Sequence, residues 1–207
     1  MGDVTILDRL EANARSRGDR PALLEPRSAT YDAWDTITWS TYARTVRDLA
    51  RAFIALGFEK GDGVGIVGPN RAAWVMADLA AICAGGLPAG IYATATPEQA
   101  EYILGHALTS IAVVADDKQA NKILLLKPKL PKLRAIVLFP GAPKPADASD
   151  AVYTWEEALQ KATTVPDSKL DEIRSAMKPE DPATLIYTSG TTGPPKAVAL
   201  SHRNLTW

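Results

Sequence analysis

The sequence predicts an α/β protein: a layered, mainly parallel sheet flanked by helices. Three observations carry this. Short apolar runs such as Val64 to Val67 and Ile111 to Val114 read as buried strands. They alternate with longer segments of helical period, and glycine or proline punctuates the junctions. The composition, 46% hydrophobic and 23% charged over 207 residues, supplies enough apolar material for a sizeable core.

The elements follow in order. Leu7, Leu10 and Ala14 recur at helical spacing beside Ile6 and predict an opening amphipathic helix that ends near Gly18. Pro21 precedes a short apolar segment, Ala22 to Leu24. Thr36-Ile37-Thr38-Trp39 alternates and is rich in β-formers. Ser40 and Thr41 are the expected caps of the next helix, whose apolar positions include Val46, Leu49, Ala50 and Phe53 and whose stop is Gly57.

The βα rhythm then sets in. Val64 to Val67 is a strand, Arg71 to Ala84 a helix, and Leu87 to Tyr92 a short extended segment. Pro97 suits the first turn of a helix containing Ala100, Tyr102, Ile103 and Leu104. Ile111 to Val114 is a strand, Asp116 to Leu126 a helix and Ala135 to Phe139 a strand. Pro140 to Ser149 forms a surface connection. Trp155 to Ala162 is a short helix, and residues 163–181 are a connector with a helix near Lys169 to Met177.

Charge excludes some functions. Lys plus Arg is 23 and Asp plus Glu is 24, a formal net charge of −1, so no overall basic field favours a nucleic-acid partner. Residues 116–134 hold six basic and two acidic groups, and residues 147–181 nine acidic and four basic; both read as solvated faces. Cys83 is the lone cysteine and His106 and His202 the lone histidines, so neither a disulfide nor a histidine-rich zinc site is expected. The uncharged run Leu79 to Pro97 contains Gly85, Gly86, Pro88 and Gly90 and reads as helix end, turn and strand rather than a membrane span. With no secretory leader in view, a reducing, cytoplasmic setting is expected.

The most informative stretch is Leu185-Ile186-Tyr187-Thr188-Ser189-Gly190-Thr191-Thr192-Gly193-Pro194-Pro195-Lys196. An apolar strand runs into hydroxyls and glycines and then a lysine. Gly190 and Gly193 permit a tight loop whose successive amides form an anion nest. Thr188, Ser189, Thr191 and Thr192 add hydroxyls, and Lys196 a mobile positive charge. The usual ATPase phosphate loop spaces its glycines more widely and leads into a helix. Here two prolines precede Lys196, and Ala197 to Leu200 resumes an apolar strand. An ordinary Ser/Thr/Gly-rich hairpin is the plain alternative on composition alone.

On this ordered string the chain resembles the adenylate-forming acyl/aryl-CoA synthetase superfamily. Tyr187 to Lys196 is similar to its signature loop, and Ser201-His202-Arg203-Asn204-Leu205 matches the continuation. Ile37-Thr38-Trp39-Ser40-Thr41-Tyr42 and Gly68-Pro69-Asn70-Arg71-Ala72-Ala73-Trp74 extend the likeness upstream. Gly86-Leu87-Pro88-Ala89-Gly90-Ile91-Tyr92, with Tyr102-Ile103-Leu104, resembles the long-chain fatty acyl-CoA synthetase branch. One departure is Ala197, where the family commonly has glycine.

The resemblance implies ATP and Mg2+ as cofactors, coenzyme A as co-substrate and a fatty or other carboxylic acid as substrate. It implies that Thr188, Ser189, Gly190, Thr191, Thr192 and Gly193 cradle phosphates, that Thr191 contacts magnesium, and that Lys196 stabilises phosphate. It also implies that the chain is an N-terminal part of a longer enzyme, inactive alone: residues 1–181 as the α/β portion of the large domain and 182–207 as the start of the next subdomain. An aryl or medium-chain CoA ligase, a carboxylic acid reductase and a non-catalytic nucleotide- or acyl-binding homologue are the alternatives. A homodimer and peripheral attachment to a membrane stay open. His202 is expected to pack or cap, Cys83 to be buried, and Asp116-Asp117 to cap a helix rather than bind metal.

Overall fold

The computed structural model describes residues 4–27, 32–188 and 194–207. The first helix, α1 (Ile6–Arg17), opens with a capping box in which the Thr5 hydroxyl accepts the Asp8 amide and Asp8 reaches back to the Thr5 amide. Strands β1 (Pro21–Pro26) and β2 (Trp34–Thr38) form a separate antiparallel pair. Helix α2 (Trp39–Ala55) follows without a gap. Its cap is Thr38, whose hydroxyl accepts the Thr41 amide, and not Ser40 or Thr41. Trp39 accordingly opens the helix instead of closing the strand. Gly57, at φ +93°, ends it as expected.

The main sheet comes from β3 (Gly63–Val67), α3 (Ala72–Cys83), β4 (Leu87–Ile91), α4 (Pro97–His106), β5 (Thr109–Val114), α5 (Asp117–Leu126) and β6 (Ala135–Leu138). After these come β7 (Val152–Tyr153), α6 (Trp155–Lys161), α7 (Asp167–Ser175), β8 (Pro182–Thr188), β9 (Lys196–Ser201) and α8 (His202–Thr206). The seven strands lie in the order β7-β6-β5-β3-β4-β8-β9. All pairs are parallel except β8 with β9. The chain moves from β3 to β4 on one side and then crosses to β5 on the other. Right-handed crossovers therefore place α3 and α4 on opposite faces.

Two cores result. Val64, Ile66, Ile111, Val113 and Val137 pack with residues of α1, α2, α3, α6 and α7. Val67, Ala112, Val114, Ile136 and Leu138 pack with α4 and α5. Odd and even residues of β5 thus serve different cores, as strand periodicity requires. Gly63 is needed for close approach, since a Cβ there would lie 2.1 Å from the Ala107 carbonyl oxygen.

The charged segments stay largely exposed, as expected, and some of their members also pair with other elements. Lys132 pairs at 2.9 Å with Asp62, whose side chain is 3% exposed. Burial would raise the Asp62 carboxyl, but Lys132 and the Glu59 amide hold it below the usual carboxylate range. On the acidic side, Asp167 and Asp171 pair with Arg47 of α2, and Arg174 with Asp8 and Glu11 of α1. Among the described residues no helix is long and apolar enough to cross a membrane.

Candidate phosphate-binding hairpin

The hairpin β8–β9 carries the ends of the signature loop. Its register pairs Thr188 with Lys196, and Tyr187 with Ala197. Both flanking residues are exposed, so a hydroxyl and an ammonium stand opposite each other where the loop leaves the sheet. Ser189, Gly190, Thr191, Thr192 and Gly193 lie outside the described residues. Ala197 sits within a regular strand, where alanine is as acceptable as glycine.

Alternation gives β8 two different sides. Leu185 and Tyr187 face the second core. A cavity of about 350 Å³ beneath α3, bounded by Trp74, Asp78, Gly90 and Tyr92, runs along β8 from Thr184 to Tyr187. The Thr184 hydroxyl donates to the Pro88 carbonyl at 3.4 Å and anchors the strand. Gly90 makes room for Trp74 against β4: a Cβ would fall 2.8 Å from the indole. Asp78 is the single charged residue of α3. Burial pushes its carboxyl up to about 7. Burial, and then the Asp78 charge, drives the Tyr42 phenol above its ordinary range.

On the other side, the Tyr187 hydroxyl lies 2.8 Å from Nδ1 of His106 at the end of α4. The two rings meet edge to face with centroids 5.7 Å apart. Tyr102, one turn earlier on α4, stacks on His106 at 5.7 Å. Burial first, then Tyr102, pushes the Tyr187 phenol up to about 12, so it stays protonated. Neither Asp78 nor His106 stands out as a site residue in the sequence, although a lone acid in an otherwise uncharged helix is a usable signal. A second cavity, about 300 Å³ and lined by Gly85, Leu87, Met177 and His202, lies at the opposite end of β4 from the loop.

The remaining candidates have structural places. His202 is 2% exposed; its Nδ1 accepts the Ile6 amide at 3.4 Å and its own amide donates to the Asp181 carbonyl. Burial holds its imidazole below the usual value. Helix α8 therefore ties the start of the described chain to its end. Cys83 is buried, and desolvation pushes its thiol up to about 12, which makes it inert. Asp116 caps α5 by accepting the Gln119 amide at 2.8 Å. Among the described residues no cluster of three His, Cys, Asp or Glu side chains could hold a metal.

The model of the AMP-binding enzyme family matches residues 10–207. The chain belongs to that family. The long-chain-fatty-acid–CoA ligase ACSBG2 of Xenopus laevis is 42% identical over 204 residues, 99% of this chain and 27% of that protein. The human ACSBG2 ligase is 37% identical over 205 residues, 99% of this chain and 30% of that protein. The chain thus spans less than a third of the length of these relatives. In fold it is similar to the anthranilate CoA ligase AuaEII in complex with anthranoyl-AMP, with a TM-score of 0.77 and 23% identity over 97% of this chain and 35% of that one. Mycobacterium smegmatis MbtA gives a TM-score of 0.78 and 22% identity over 98% of this chain and 34% of that one. The motif resemblance and the layered, mainly parallel α/β architecture are both borne out.

Proposed function

We propose that this AMP-binding chain carries the phosphate-binding end of an ATP-dependent ligase that joins a long-chain fatty acid to coenzyme A. The carboxylate attacks the α-phosphorus of ATP and the bond to pyrophosphate breaks, giving an acyl-adenylate. The coenzyme A thiol then attacks the acyl carbon, a proton leaves the sulfur, and AMP departs. The fatty carboxylate is already ionised at neutral pH, so the first step needs no general base. Charge placement is the protein's main task.

The observation that carries this reading is the pairing of Thr188 with Lys196 at the mouth of the signature loop. A hydroxyl donor and a point charge there suit an anionic triphosphate. Thr188, Ser189, Gly190, Thr191, Thr192 and Gly193 would supply amides and hydroxyls, and Lys196 would neutralise developing charge. A hydroxyl oxygen such as that of Thr191 is hard enough for Mg2+, which when bound offsets phosphate charge. The relatives near 40% identity favour the fatty acid over an aryl or medium-chain substrate. We further infer that Pro182 opens the next subdomain, and that the chain alone makes no acyl-CoA, because it spans so little of its relatives' length.

The test is acid-dependent ATP–pyrophosphate exchange by a full-length ligase carrying this chain, with acids of graded length. Exchange should peak with long acids, and Lys196→Ala should lower it by about 10²–10³-fold. A peak with aryl or short acids would reassign the substrate. ATP binding without exchange for any acid would point to a non-catalytic homologue.

A further inference from the structure

Strand β8 delivers the chain to the loop, running close alongside β4 but with fewer hydrogen-bonded register pairs than β3 makes with β4. Its register with β4 is a single pair, Ala89 with Leu185. By contrast β3 and β4 pair at five successive positions, from Gly63 with Leu87 to Val67 with Ile91. Beyond Leu185, β8 is held by its hairpin partner, by Ile186 beside Trp74 and, on the sheet's other face, by Tyr187 against the second core. Tyr187 is adjacent in sequence to Thr188, and its hydroxyl meets His106 at 2.8 Å.

His106 is well placed to act as a fixed post. It ends α4, whose start is locked by a capping box between Thr96 and Gln99 and by Pro97 in the first turn. Ala100, Ile103 and Leu104 bury the inner face of the same helix. Tyr102 stacks on the imidazole with the ring centroids 5.7 Å apart. Simple packing of a tyrosine ring would need neither the hydroxyl nor the imidazole nitrogen. Here both are engaged, although His106 is solvent-exposed and water could serve it instead.

We propose that His106 is a positioning residue for Thr188: by hydrogen-bonding Tyr187 it fixes the outgoing end of β8, and so the place of Thr188, against α4. The proposal rests on the phosphate-binding reading of the loop. A cradle of amides and hydroxyls is effective only when its approach is already set before the nucleotide arrives.

The experiment compares wild-type full-length ligase carrying this chain with Tyr187→Phe, His106→Leu, His106→Asn and the Tyr187→Phe/His106→Leu double variant. The readouts are KM for ATP and for the acid in pyrophosphate exchange, and amide hydrogen exchange over residues 182–188 and 97–106. Tyr187→Phe and His106→Leu should each raise KM for ATP about five- to tenfold, the usual worth of one hydrogen bond. KM for the acid should stay constant, and the double variant should be no worse than either single one. His106→Asn, which places a polar nitrogen or oxygen near the Nδ1 position, should restore the wild-type value to within about twofold. Amides of β8 should exchange faster in the two disrupted variants while those of α4 do not. Additive losses, equal rises in both KM values, or unaltered exchange in β8 would overturn the proposal. If the wild type shows no acid-dependent exchange, the ligase reading fails. The β8 amide protection and its recovery in His106→Asn then decide the positioning claim alone.

Discussion

The five parallel strands on one side of the sheet and the β8–β9 hairpin on the other are built on different principles. Every residue of β3, β5 and β6 is buried. Helices cover both faces, and hydrogen bonding continues on either side. In the hairpin, exposed and half-buried residues dominate, and Ile186 and Val198 are 45% and 46% exposed. The first region gains its stability from burial. The second is specified by a cross-strand register, a single-pair register with β4 and the Tyr187–His106 contact. The parallel region is thus fixed by burial, while the hairpin that ends at Thr188 and Lys196 has a backbone less committed to the core.

The comparison is broken most directly by Ile66→Ala. Ile66 is fully buried in β3, and truncation should cost about 3 kcal/mol of unfolding free energy by transfer plus cavity. A urea titration that moved by less than a third of this would mean that the parallel region is not the stability centre.

The next effect lies at the seam. Asp78 faces the cavity between α3 and β8, and burial raises its carboxyl from 3.8 to about 7. Between those values the folded protein keeps a proton that the unfolded chain has released. This contribution to stability is therefore full below about pH 4 and is lost as pH rises to about 7. Asp78→Asn removes the cost. The rise from 3.8 to about 7 corresponds to at most about 4 kcal/mol, and because Asp78 is only half-buried the variant should be more stable than wild type by about 2 kcal/mol at pH 8 and nearly equal to it at pH 4. Parallel pH profiles for the two proteins would show that the carboxyl is hydrated and that the seam is open to water.

Much of the parallel region was legible in the sequence because fully buried strands leave continuous apolar runs, as at Ile111 to Val114. Pro97 and Gly57 marked helix ends through backbone chemistry that needs no tertiary information. Three things were not legible. Strand β7 is only two residues long and has no period to detect. Thr38, Ser40 and Thr41 are all competent caps, and only the backbone's exit from β2 selects Thr38. The Tyr187–His106 contact spans 81 positions and depends on strand order, which local patterns do not encode. For the candidate site, the loop motif pointed to the hairpin that proved to be β8–β9, while Asp78 and His106 emerged only once α3 and α4 were placed on opposite faces.

The smallest effect sharpens the contrast. Ile186 stands opposite Val198 in the hairpin register, and the two are similarly exposed. Ile186→Thr keeps the β-branched shape that a strand prefers and removes apolar surface of which water already reaches nearly half. A cross-strand pair of this kind is worth about 0.2–1 kcal/mol, so the substitution should cost less than about 1 kcal/mol in the same urea titration. It also leaves Tyr187 on the opposite face untouched, so β8 amides should keep their protection. A cost near that of Ile66→Ala would mean that the outer face of the hairpin is packed in solution. The two halves of the sheet would then be held by the same force, and the single-pair register with β4 would not set the hairpin apart.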